Sequence, residues 1–228
     1  MTQSTVDSGG PGRVAGRVVV MGVATDERRA LCELFEQLGP DAPTLCEGWR
    51  TRDLAAHLVV REHRPDAAAG ILVPMLASHT DSVQHRYAAQ PWDQLVERVR
   101  SGPAWFWPTR LPPLDELVNS AEFLVHHEDA RRGQEGWEPR PADSARDAAA
   151  WRSVKAIAKL TLRNSPVGVV LRSPGHGELS AKTGPDAVTL TGAPVEILLF
   201  AFGRDAVRLD FEGTPEAIDR LKALSRGL

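Results

Sequence analysis

The sequence predicts an α+β protein in which an N-terminal helical bundle is followed by a small C-terminal α+β domain. Apolar residues recur at helical spacing through the first two-thirds of the chain. After the stretch 164–166 the texture changes to short β-branched runs separated by Gly- and Pro-containing turns. The 228 residues, 42% of them hydrophobic, can bury one large core or two small ones.

Taken in order, residues 1–21 read as a disordered extension. Their two arginines and short apolar run weakly resemble a signal peptide but lack a small-residue cleavage site, and Met21 is a second candidate start. Helices are expected over 26–38, 51–64, roughly 66–78, 92–100, 114–132 and 145–163, with Thr51 as an N-cap and Gly39, Gly102 and Gly133 at C-termini. Together these helices form a bundle spanning 22–164, which is expected to bind a metal. Residues 165–228 should then form the second domain: "VGVVLRS", "GELSAKTG" and "AVTLTG" as a meander, "PVEILLFAFG" as a helix, "AVRLDFEG" as a strand and "PEAIDRLKAL" as a closing helix. No apolar run reaches the roughly eighteen residues of a membrane span.

Composition excludes some partners. A formal net charge of -3 with scattered Lys and Arg offers no footprint for a phosphate backbone, so nucleic acid is not expected. Two cysteines, Cys32 and Cys46, cannot build a disulfide framework and point to a reducing cytoplasm. With no CxxC or Cys–His spacing nearby, both read as buried free thiols rather than catalytic or metal-binding cysteines.

The stretch "SAEFLVHHEDARRG" holds the densest chemistry. Successive helical residues turn by about 100°, so adjacent histidines cannot share one face. Asp115, Asn119, Glu122, His126 and Asp129 form a polar stripe beside Leu114, Leu117, Val118, Ala121 and Val125, whereas His127 faces water or another helix. Glu122 and His126 stand one turn apart, which suits either the chelation of one ion or a simple i, i+4 pair. His57 in "DLAAHLVVRE" is the candidate third ligand or else a hydrogen-bonded core histidine. Facing bundle helices commonly build metal sites, and two His plus one Glu leave the open position of a catalytic centre. Asp129 is either a second-shell acceptor for His126 or a surface carboxylate. Trp105 and Trp107 in "PAWFWPTR" either plug the core or line a pocket. Neither a nucleophile elbow nor a dinucleotide fingerprint occurs.

"LCEGWRTRDLAAHLVVRE", "EFLVHHEDARRG" and "TGAPVEILLFAFGR", in this order and at these separations, resemble the mycothiol-dependent maleylpyruvate isomerase-like metal-binding proteins of actinobacteria, within the wider DinB-like superfamily. The resemblance covers most of the chain after about residue 22. It implies a DinB-like four-helix bundle beside a small α+β domain, with His57, Glu122 and His126 as zinc ligands. It also implies that Arg204 faces the active site and binds substrate; otherwise Arg204 is a cation at a helix C-terminus. Mycothiol would be the cosubstrate, and the partners would be this small-molecule thiol and an electrophile, with no membrane and a monomer or homodimer left open. The activity implied is a metal-dependent mycothiol S-transferase or isomerase; the alternative is a non-catalytic metal-binding or ligand-sensing protein.

Overall fold

The computed structural model describes residues 22–68, 75, 77–103 and 112–226. Helix α1 (Val23–Leu38) ends at Gly39, whose φ of 74° favours glycine, and α2 (Thr51–His63) follows after a loop. Thr51 is the first helical residue of α2 and not its cap. The Arg50 amide donates to Asp53 Oδ2 at 2.9 Å, and the Thr51 hydroxyl instead donates to Gly39 O at 2.5 Å, tying the end of α1 to the start of α2.

Of the helix expected over 66–78, the described residues include a short α3 (Pro65–Ala68) at its start and the beginning of α4 (Ala77–Ala88) at its end, while 69–74 and 76 lie outside the described residues. Helix α4 packs on α2 and buries only Thr80, Val83 and Ala88, too sparse a pattern to be read from the sequence. Helix α5 (Trp92–Ser101) lays Leu95, Val96 and Val99 on α1 and α2. Helix α6 (Pro112–Arg132) runs along α1, and α7 (Ser144–Thr161) starts where the Asp143 carboxylate accepts from the Arg146 amide at 2.8 Å.

The second half is not a meander. Strands β1 (Val169–Ser173), β2 (Gly177–Lys182), β3 (Val188–Thr191) and β4 (Asp210–Glu212) lie in the order β2-β1-β3-β4. The β1–β2 and β3–β4 pairs are antiparallel, but β3 pairs in parallel with β1. The reason is burial. Strands β1 and β3 carry Val169, Leu171, Val188 and Leu190, which need a central place, whereas β2 carries exposed Glu178 and Ser180 and suits an edge. Helix α8 (Pro194–Ala201) is buried throughout and α9 (Pro215–Lys222) closes the chain's described part.

Among the described residues two large buried clusters result, beside a small third of Val60, Ala67 and Val83. Leu31, Phe35, Leu54, Leu58, Leu95 and Phe123 form one among α1, α2, α5 and α6. The other joins α7, the sheet, α8 and α9, and α6 adds Leu124 and Val125 to it. Because α6 serves both clusters, the stretch 123–130 is buried on every side. Among the described residues no helix is long and apolar enough to cross a membrane.

Gly133, just past α6, matters for approach rather than for φ. A Cβ there would lie 2.7 Å from Thr44 Cα and 2.8 Å from Pro43 C, in the loop between α1 and α2. Gly133→Ala should therefore lower stability by roughly 1–3 kcal/mol in urea denaturation, as overpacking against backbone does; an unchanged midpoint would show that this loop yields.

Candidate metal centre

Helix α2 presents His57 and α6 presents Glu122 and His126 to one point. Glu122 Oε1 lies 3.3 Å from His57 Nε2 and 3.2 Å from His126 Nε2. The three potential ligand atoms lie within 4.8 Å of one another, and both histidines are buried. The His57 ring packs between Trp49, with centroids 5.1 Å apart, and the edge of His126 at 5.2 Å. Ligands about 2.0–2.1 Å from a tetrahedral zinc stand roughly 3.3 Å apart. The measured separations match that spacing and are long for charge-assisted hydrogen bonds. The donor set and its geometry fit a divalent metal of the zinc type.

The other ring nitrogen of His126 is held. Nδ1 lies 2.9 Å from Asp129 Oδ2, and Asp129 is fully buried. Arg204, in the turn after α8, donates Nε to Asp129 Oδ1 at 2.8 Å and Nη2 to Oδ2 at 2.5 Å. The Cys46 thiol donates to Asp129 Oδ2 at 3.2 Å and accepts from Arg204 Nη2 at 3.5 Å. The Leu45 amide donates to the Asp129 carbonyl at 3.1 Å, which anchors the Cys46 loop to α6. Arg61 adds a second cation, with Nε 3.3 Å from Glu122 Oε1, and also donates to Asn119 Oδ1.

Protonation follows from these contacts. Burial alone would depress His126, but the Glu122 and Asp129 carboxylates hold it well above the usual histidine value. Burial depresses His57, and its bond to Glu122 offsets this only in part. Glu122 and Asp129 stay ionised despite burial: His126, His57 and Arg61 pull Glu122 well down, and Arg204 with His126 pulls Asp129 down.

His57, Glu122, His126, Asp129 and Arg204 thus meet in one place, with the last two in direct contact. Trp105 and Trp107 lie outside the described residues. His127 does not face water. It is buried on another side of α6, where Nδ1 lies 2.6 Å from Glu27 Oε2 on α1. Both adjacent histidines are interior because α6 is covered all round. Sequence spacing missed Cys46, Trp49 and Arg61. Cys46 stands 83 positions from Asp129, so a search for local Cys–His spacing could not find it.

No protein-family model matches the sequence, and no curated protein matches it either. Two solved structures share the fold. One is the crystal structure of the mycothiol-dependent maleylpyruvate isomerase, with a TM-score of 0.57 at 15% identity over 83% of this chain and 90% of that one. The other is a histidine-to-alanine mutant of that isomerase, with a TM-score of 0.58 at 16% identity and the same coverage. The chain therefore has the α+β fold of that isomerase.

Two outcomes test the buried charges. Arg204→Ala leaves Asp129 without its strongest partner and should destabilise by roughly 3 kcal/mol in urea denaturation, with Arg204→Lys intermediate because Lys cannot form the two-pronged contact. Burial raises the Glu27 carboxyl, but the His127 bond and Arg140 bring it net below its usual value. That contribution is present above the unfolded pKa of about 4.3 and is lost as pH falls through the lower folded value. Glu27→Gln should flatten the fall of stability in that acid range; a slope equal to wild type would remove this pair as a source of acid sensitivity.

Proposed function

We propose that this protein is a divalent-metal-dependent, thiol-using transferase or isomerase acting on a small electrophile, with zinc as the metal and mycothiol as the thiol. The observation that carries the reading is the convergence of His57, Glu122 and His126 at ligand separations. Its support from outside is the fold shared with an enzyme described as mycothiol-dependent.

His57 and His126 would hold the metal through Nε2 and Glu122 through a carboxylate oxygen, leaving room for an exchangeable ligand. A bound divalent ion supplies Lewis acidity and favours the thiolate form of a thiol at neutral pH. The rest is work for this chain's own groups. Asp129 accepts from His126 Nδ1, which sets the tautomer and leaves Nε2 to point at Glu122. Trp49 covers one face of His57 and limits water there. Of the five N–H groups of Arg204, four are engaged by Asp129, Phe202 O and Cys46, and one on Nη1 remains for an anionic group of thiol or substrate. Trp105 and Trp107 keep the proposed role of lining the substrate site.

Cys46 favours a second reading. Its sulfur, His126 and Asp129 form a separate group whose potential ligand atoms lie within 4.8 Å of one another, and a metal closed in there by protein ligands, away from His57 and Glu122, would make a non-catalytic binding site.

Metal analysis of the purified full chain should find about one zinc-like ion per molecule. His57→Ala should lose most of it, while His127→Asn, which changes the neighbouring histidine on another side of α6, should keep it. Equal loss in both variants would sink the ligand assignment. Thiol-dependent turnover of an electrophile panel, absent in His57→Ala, is expected of the enzyme; full metal with no turnover on any electrophile and metal–sulfur scattering lost in Cys46→Ser would establish the closed site.

A further inference from the structure

The face of α6 turned away from the metal ligands carries Glu128 and Arg132. These line a cavity of about 200 Å³ together with Arg140, Arg146, Glu196 and Arg208. Ala142 and Asp147 at the start of α7, and Ala193 and Val195 at the start of α8, complete much of its wall.

The charges inside it do not all cancel. Arg132 donates Nε to Glu128 and Nη2 to Glu196, each at 2.6 Å, and Arg131 donates to Glu128 at 3.0 Å. Arg140 lies 2.6 Å from Glu128 through Nε and gives Nη1 to Glu27 at 2.9 Å. Three acids, Glu27, Glu128 and Glu196, are thus matched by Arg131, Arg132 and Arg140. The Arg146 and Arg208 guanidiniums are left over, with Asp147 the one further acid in the lining among the described residues. The Arg146 guanidinium donates to the Pro141 carbonyl, and the exposed Arg208 guanidinium lies over the Trp137 ring at 4.7 Å while its amide donates to Glu196 Oε2 at 2.7 Å; neither guanidinium has a carboxylate partner among the described residues. Arg140 Nη2 and Arg146 Nε are buried donors with no acceptor among the described residues. Buried donors are seldom left so, and where they are, an ion or ligand is a common cause.

We propose that this cavity binds a small oxyanion, a carboxylate or phosphate group held by Arg146 and Arg208 at its mouth. Both guanidiniums can present paired N–H groups to such a group. The volume is below the range of about 300–1,000 Å³ typical of drug-sized ligands, which restricts the occupant to a compact anion or the charged end of a larger one. This site is separate from the metal centre and does not depend on the function proposed above.

The test is calorimetric titration of the full chain with inorganic phosphate and with succinate at constant ionic strength. Saturable binding of one or both is expected, and the stronger probe identifies the phosphate or carboxylate class. Arg208→Gln, an exposed change that should not disturb folding, should weaken binding about tenfold, and adding Arg146→Gln should abolish it. His57→Ala should leave it unchanged. No saturable binding of either probe overturns the proposal, as does unaltered affinity in Arg208→Gln with Arg146→Gln or loss of binding in His57→Ala.

Discussion

The Asp129 carboxylate is fully buried, yet it accepts hydrogen bonds from side chains carried by three separate parts of the chain: Arg204 after α8, Cys46 in the loop between α1 and α2, and His126 on its own helix. An isolated carboxylate could not be placed there, because losing water costs far more than packing returns. The pairing with Arg204 keeps it ionised. An ionised Asp129 then fixes the orientation of the His126 ring, with Nδ1 toward Asp129 and Nε2 toward Glu122. The orientation of His126, the loop bearing Cys46 and the turn bearing Arg204 all meet at this one group.

Helix α6 makes that arrangement possible by being covered on every side. A surface helix keeps its charges on the wet face, whereas α6 buries Glu128, Asp129 and Arg132 together with two histidines. Each finds a partner in a different direction. His126 turns to Glu122 and Asp129, His127 to Glu27 on α1, and Glu128 and Arg132 to each other and onward to Glu196 on α8. Buried ion pairs contribute little net stability, because desolvation offsets most of their attraction. Their value here is positional, since Glu128, Arg132 and Glu196 form a continuous charged contact between the helical and sheet-bearing halves.

Much of this was legible in the residues themselves. The one-turn spacing of Glu122 and His126 follows from helix geometry alone, and the same periodicity separates His126 from His127. The helical first part and the strand-rich second part follow from apolar spacing. Where that signal was thin the reading failed. Helix α4, with three buried residues, left too little periodicity to be seen, and the helix expected over 66–78 reaches only its first two residues.

The sequence by itself determined the local terms: which segments prefer helix or strand, which side chains share a helix face, and which residue types can ligate a metal. The tertiary structure alone decided what depends on distant partners. It placed β3 beside β1 in parallel because both needed burial, and of the two settings open to His127, water or another helix, it selected the helix α1 by covering α6 on all sides. It also brought Cys46 to within 3.2 Å of Asp129 and Arg204 onto the same carboxylate. Helix and strand periods describe the chain over a few residues, whereas these contacts close loops of 75 and more, and only packing of the whole core selects them.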